Sequence, residues 1–243
     1  MKKYAVTDIG KVRNTNQDQA FVYTNSHGIS IGIICDGMGG HKAGGYASLL
    51  VSKIILDYFI KVDKFKDEQE AKEWLLMIIN EANAQVREKS LSDDNFMGMG
   101  TTLVISLVLE NKIIIANVGD SRVYLFNNSE LMQITEDQTY VNILLREGKI
   151  TKEEALNHPK KHVIMYAVGN MDNPVVDLYE LNKIKGSYLF MCSDGIYNLV
   201  SFKYLNTILD STLPISQKAI SIINDANNNG GYDNMSIVLM EVE

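Results

Sequence analysis

The chain has 243 residues, 46% of them hydrophobic, and a formal net charge of −7. That much apolar material can bury a substantial core, while the acidic balance argues against nucleic acid, whose phosphates are usually held by a basic face. No apolar run approaches the about 18 residues of a membrane helix, and "MKKYAVTDIG" meets Thr7 and Asp8 before a signal-peptide core can form, so no membrane segment and a cytoplasmic location are expected.

In chain order, β-branched and apolar runs predict strands at Ile29–Cys35, Thr101–Leu109, Lys112–Val118, Arg122–Phe126, Tyr188–Cys192 and Met235–Glu241. "LENK" and "NNSE" read as hairpin turns among the middle strands. Ala43–Ile60 and Glu68–Lys89 instead carry apolar residues at helical spacing, with Trp74, Ile78, Ala82 and Val86 along one side of the second. From Asp137 to Asn173 the texture becomes more polar, and Thr151 followed by Glu154 has the form of a capping box, which predicts a small helical excursion bordering the main body. The last third returns to strand, helix and strand. Grouped hairpins and paired helices favour an α+β fold. Only three prolines and no Ser/Gly/Pro-rich linker predict a single domain over residues 1–243.

Cys35 and Cys192 sit in apolar surroundings without the spacing of a zinc site or redox pair, and read as reduced core residues. The histidines His27, His41, His158 and His162 form no H-E-x-x-H motif, and "GHKAGG" has its lysine misplaced for a P-loop. Lys160 and Lys161 form a local basic patch that could hold one phosphorylated group.

Asp36 follows the apolar run "ISIGIIC", Asp120 follows "IIIANVG", Asp194 follows "YLFMCS", and Asp233 precedes the final strand. Asp18 stands just before another strand. One such aspartate alone is a turn former or a helix cap. A set of them leaving several strands at one sheet edge would repel unless a cation lay between them, and oxygen ligands without His or Cys select Mg²⁺ or Mn²⁺ over zinc. Asp36, Gly37, Asp194 and Asp233 are therefore candidate metal ligands, with Gly37, Gly39 and Gly40 allowing close backbone approach or unusual dihedrals.

The phrases "TDIGKVRNTNQD", "CDGMGGHKAGG", "GMGTTL", "NVGDSRVYL", "ITEDQT", "CSDGIYNLV" and "GYDNMSIVLM" occur in the order found in the metal-dependent type 2C serine/threonine protein phosphatases, and the chain resembles their compact bacterial form over nearly its whole length. The resemblance implies a four-layer α-β-β-α sandwich of two antiparallel sheets flanked by helix pairs, with a flap at about 137–173. It implies that Asp36 bridges two Mn²⁺ or Mg²⁺ ions, Gly37 offers its carbonyl to one, Asp194 and Asp233 complete the other, and Asp18 acts through metal-bound water. Arg13 matches the arginine that binds substrate phosphate, and Asp120 would hold a third, weaker ion beside Asp194. Catalysis would then be direct in-line attack by metal-activated hydroxide on phosphoserine or phosphothreonine, without a covalent enzyme intermediate. Expected partners are phosphorylated proteins, substrates of a bacterial serine/threonine kinase, and the expected state is a monomer.

The chain departs from many relatives at Gln17, Met38 and Tyr166, where glutamate, histidine and arginine are common. Met38 removes one candidate leaving-group acid, leaving a water on the third ion or His41 as donors. Two other readings share the fold: a non-catalytic phosphoprotein-binding module, disfavoured because no core aspartate is lost, and a hydrolase of a small phosphate ester or nucleotide.

Overall fold

A computed structural model describes residues 1–40 and 43–243. The first strands, β1 (Lys3–Asp8), β2 (Asp18–Thr24) and β3 (Ser30–Met38), lead into the long helices α1 (Ala43–Phe59) and α2 (Glu68–Ser92). A two-residue strand β4 (Gly100–Thr101) precedes the hairpins β5 (Leu103–Val108), β6 (Lys112–Val118), β7 (Arg122–Asn127) and β8 (Glu130–Gln133). The polar segment forms α3 (Tyr140–Arg146) and α4 (Lys152–Asn157), and the chain then continues through β9 (Asp177–Asn182) and β10 (Tyr188–Cys192). Three helices, α5 (Asp194–Tyr197), α6 (Phe202–Asp210) and α7 (Ile215–Asn228), lie before β11 (Met235–Glu241), where one was expected.

One antiparallel sheet runs β1-β11-β10-β7-β8 and the other β2-β3-β5-β6-β9, with β4 paired to β3. Apolar packing falls into three layers. Ile31, Ile33, Leu103 and Ile105 meet the inner faces of α1 and α2, while Phe190, Ile237 and Leu239 meet α6 and α7. Between the sheets, Ile34, Val104 and Ile115 interdigitate with Val123, Met191 and Val238. The expected α-β-β-α sandwich is the observed fold. Strands buried on both faces lose the alternation of a half-solvated sheet, which is why β5, β6 and β11 read as continuous apolar runs.

The strands without predicted boundaries are the edge strands: β1 and β8 in one sheet, β2 and β9 in the other. Each mixes exposed or half-buried positions into its pattern. The "LENK" turn closes through Leu109 N–H donating to the Lys112 carbonyl at 2.9 Å. In "NNSE", Asn128 and Ser129 take φ of 50° and 61°, the left-handed pair of a tight hairpin turn. The capping box at Thr151 and Glu154 is present, each side chain engaging the other's backbone N–H.

One expectation about β3 needs correcting. Asp36 does not end the strand, because the backbone stays extended through Met38. After Ile34, which faces Val104 of β5, the strand exchanges that partner for β4, with Gly37 opposite Thr101 and Met38 opposite Gly100. Asp36 therefore lies within a strand held on both sides.

Candidate active site

The expected aspartates converge at one end of the sandwich. Asp36 faces Asp18 across the β2–β3 pair. Its backbone is fixed from the other side: Asp36 N–H donates to Thr102 Oγ1 at 3.0 Å, and its carbonyl accepts from Thr102 N–H at 2.8 Å and Thr101 Oγ1 at 2.9 Å. Asp194 opens α5 shortly after β10, the central strand of the other sheet, and Asp233 stands just before β11, which pairs with β10. Asp120 occupies the tight turn between β6 and β7 and is 5% exposed.

Gly37 is required by a backbone-on-backbone contact. A Cβ on Gly37 would collide with the carbonyl oxygen of Gly44 in the first turn of α1, and one on Gly44 would collide with the Gly37 carbonyl. The pair lets α1 start flush against the strand that carries Asp36. Gly39 has φ of 116°, so it supplies the unusual dihedral of the loop, whereas Gly40 has neither a close neighbour nor a positive φ. His41, a candidate proton donor, lies outside the described residues.

Packing so many carboxylates together disfavours their charge. Burial, followed by repulsion from Asp18 and Asp194, pushes Asp36 well above the usual carboxylate range. Burial raises Asp18 to about 7 against the hydrogen bond from Ser193, whose Oγ donates to Asp18 Oδ2 at 2.7 Å. Asp120 is also pushed up to about 7 by burial and by Asp194. Asp194 is raised by burial and by repulsion from Asp233, offset in part by the positive charge of Arg13.

Two carboxylate oxygens, Asp18 Oδ1 and Asp120 Oδ1, are buried without any hydrogen-bond partner. An orphaned buried acceptor beside like charges is a costly arrangement that a cation relieves, and the donors are all hard oxygens. Among the described residues no three His, Cys, Asp or Glu side chains close around a single point as a finished cage. The donor set itself, carboxylates with backbone oxygen close by, is of the kind that suits a small divalent ion that keeps several waters.

Arg13 reaches the same cleft. Its Nη2 donates to Asp233 Oδ2 at 2.7 Å, leaving the guanidinium half-exposed at the rim. Asn234 fixes the loop that carries it: the side-chain amide donates to the carbonyls of Ile9 and Thr15 at 2.9 and 3.0 Å, while Oδ1 accepts from Gln17 N–H at 2.9 Å. Gln17 contributes through its backbone, its carbonyl also accepting from Gly37 N–H at 3.2 Å. Tyr166 packs against the α1–α2 core and lines a separate cavity with Gln138 and Ile143, away from the carboxylates.

Several site residues were not anticipated from the sequence. Ser193 Oγ positions Asp18 and itself accepts from Ser236 N–H at 3.0 Å. Tyr197 Oη donates to Asp120 Oδ2 at 3.3 Å, and Asn198 Nδ2 donates to Asp194 Oδ2 at 3.3 Å. "CSDGIYNLV" contained three of these residues, but only the short helix α5 turns Tyr197 and Asn198 back towards the aspartates.

The family model described as Protein phosphatase 2C matches residues 11–226. A serine/threonine phosphatase, stp, from Listeria monocytogenes serotype 4b (strain F2365) is 39% identical over 235 residues, covering 97% of this chain and 93% of that protein. The solved serine/threonine phosphatase of S. agalactiae superposes with a TM-score of 0.94 at 34% identity, covering 100% of this chain and 99% of the other. The catalytic domain of the phosphatase PstP, solved with two manganese ions, aligns with a TM-score of 0.82 at 31% identity over 99% of this chain and 97% of its own.

Proposed function

The chain belongs to the protein phosphatase 2C family and is a protein serine/threonine phosphatase; on that premise we propose that residues 1–243 form one metal-dependent catalytic domain that hydrolyses phosphoserine and phosphothreonine by direct attack of water-derived hydroxide. The observation that carries this reading is the convergence of Asp18, Asp36, Asp194 and Asp233, with Asp120 beside them, around orphaned buried oxygens.

Asp36, Asp194 and Asp233, with the Gly37 carbonyl, would hold two core Mn²⁺ or Mg²⁺ ions, Asp18 would act through water, and Asp120 with Asp194 would hold a weaker third. Such ions, when bound, lower the pKa of water to supply hydroxide near neutral pH and offset charge on the phosphoryl oxygens. The protein's own part is positioning. The Thr101 and Thr102 hydrogen bonds fix Asp36, Ser193 orients Asp18, and Asn234 fixes the loop that presents Arg13. A planar guanidinium at the rim matches two phosphate oxygens.

Three nucleophilic side chains near the described carboxylates are withdrawn from the cleft. Cys35, Cys192 and Ser193 are all 0% exposed, which supports direct displacement without a covalent intermediate. Met38 cannot donate a proton, so the leaving oxygen would take its proton from a water held near Asp120, with His41 the competing donor. The flap at 137–173, carrying α3 and α4, borders the cleft and tunes the choice of protein substrate.

Among the described residues no helix is long and apolar enough to cross a membrane. We further infer a monomer acting in the cytoplasm on substrates of a bacterial serine/threonine kinase. The deciding experiment compares phosphate release from phosphothreonine peptides, phosphotyrosine peptides and small esters, with Mn²⁺ and with chelator. Chelator-resistant turnover would defeat the mechanism, and preference for a small metabolite would replace the protein substrate.

A further inference from the structure

Beneath the flap lies a cavity of about 510 Å³ that has Asp120 and Asn198 in its wall and so continues from the carboxylate cleft. Its floor is built from Arg122 and Tyr197. The guanidinium carbon sits 3.5 Å from the Tyr197 ring centre, while Nε and Nη2 donate to the two oxygens of Asp137 at 2.8 and 2.7 Å, and Nη1 donates to Tyr124 Oη at 3.1 Å. A cation neutralised by a bidentate carboxylate and covered by an aromatic face offers little to a phosphate. The floor is therefore a flat, rigid, largely uncharged surface.

The flap adds an apolar part of the wall alongside the polar residues. Val141 and Leu145 come from α3, and Ala155 and Leu156 from α4, with Leu156 71% exposed. Lys152, Lys161 and His162 stand exposed around the mouth. This is a local cationic rim on a protein of net charge −7, so an acidic group repelled by the protein as a whole is attracted here.

We propose that this cavity is a substrate subsite that takes an aliphatic side chain close to the phosphorylated residue, while an acidic side chain of the same peptide rests against Lys152 and Lys161. The assignment rests on the phosphatase reading and names the sequence class of its substrates. Geometry sets the spacing: Asn198, in the cavity wall, donates to Asp194, and an extended peptide advances about 3.3 Å per residue. The side chain received therefore belongs to a residue flanking the phosphothreonine.

The test is a set of phosphothreonine peptides in which each flanking position is Gly, Leu, Glu or Lys, assayed with Mn²⁺ on the whole protein. The expected result is a preference of about tenfold in kcat/KM for Leu over Gly at one flanking position, the low end of discrimination by an apolar pocket. A smaller preference for Glu beyond it should fade with salt. Leu156→Ser, at an exposed position where folding is little perturbed, and Leu145→Ala should each flatten the Leu preference while leaving para-nitrophenyl phosphate turnover unchanged. Lys152→Glu combined with Lys161→Glu should invert the preference between Glu and Lys.

A wild-type enzyme indifferent to flanking residues would overturn the subsite. So would a Leu preference that survives both pocket variants. Failure of the phosphatase reading has a different signature: no phosphopeptide would be hydrolysed while the small ester still turned over.

Discussion

Asp18 and Asp36 stand directly opposite each other on paired antiparallel strands, a register that normally disfavours two like charges. Asp18 is 1% exposed, and its Oδ1 has no partner. Replacing it with Asn should therefore stabilise the chelated protein, by about 1–3 kcal/mol at pH 8, because the repulsion disappears and Ser193 can still donate to the amide oxygen. The same change should weaken Mn²⁺ binding, so the gap between melting temperatures with Mn²⁺ and with chelator should shrink. A chelated variant melting below the wild type would contradict this.

A pH dependence follows with a definite sign. Asp18 and Asp120 titrate at about 7 in the folded chain, against 3.8 ordinarily, with burial the main cause. Between those values the native state binds more protons than the unfolded state, so stability falls as pH rises. Chelated protein should lose on the order of a few kcal/mol between about pH 4 and pH 7 from these groups and change little above that. Denaturant melts across that window, repeated with saturating Mn²⁺, should show the loss only without metal.

Asp36→Asn and Asp194→Asn should each abolish most turnover, since both carboxylates set the metal geometry on which hydroxide supply depends. Chelator should do the same to the wild type, and added Mn²⁺ should restore it. Calorimetric Mn²⁺ titration of each variant checks that the lost activity tracks lost binding.

Arg13→Ala should chiefly raise KM for phosphopeptides, because a phosphate clamp that acts equally in ground and transition states contributes uniform binding. An unchanged KM would remove Arg13 from that role.

Asp120→Ala should lower kcat on phosphopeptides more than on para-nitrophenyl phosphate, whose leaving group needs little protonation. Equal losses on both substrates, or a larger peptide-specific loss in His41→Ala, would count against that assignment.

What could be read in advance divides along physical lines. The buried strands β6, β10 and β11 announced themselves with the observed boundaries because burial on both faces demands an uninterrupted apolar run. The edge strands β1, β8 and β9 carry mixed polarity, and their existence depends on partners distant in sequence, as when Lys3 faces Met240. The aspartates could be read because carboxylates after apolar runs are conspicuous. Ser193, Tyr197, Asn198 and Asn234 were not, since each has an ordinary local role as cap or turn residue and finds its site partner only through the fold. Gly37 was expected to allow close backbone approach or an unusual dihedral, and it is the first that the structure uses, with Gly44 as the backbone that approaches.

The placement of β11 governs when this enzyme can exist as a catalyst. It lies between β1 and β10, follows Asp233 directly, and is preceded by the Asn234 amide that ties down the loop bearing Arg13. A ribosome-bound chain that has made everything up to α7 already carries Asp18, Asp36, Asp120 and Asp194, yet its N-terminal strand lacks its partner in the sheet and its arginine loop lacks the Asn234 bonds. Dephosphorylation should therefore await the last strand, and a product truncated before Met235 is expected to release no phosphate from a phosphothreonine peptide with Mn²⁺.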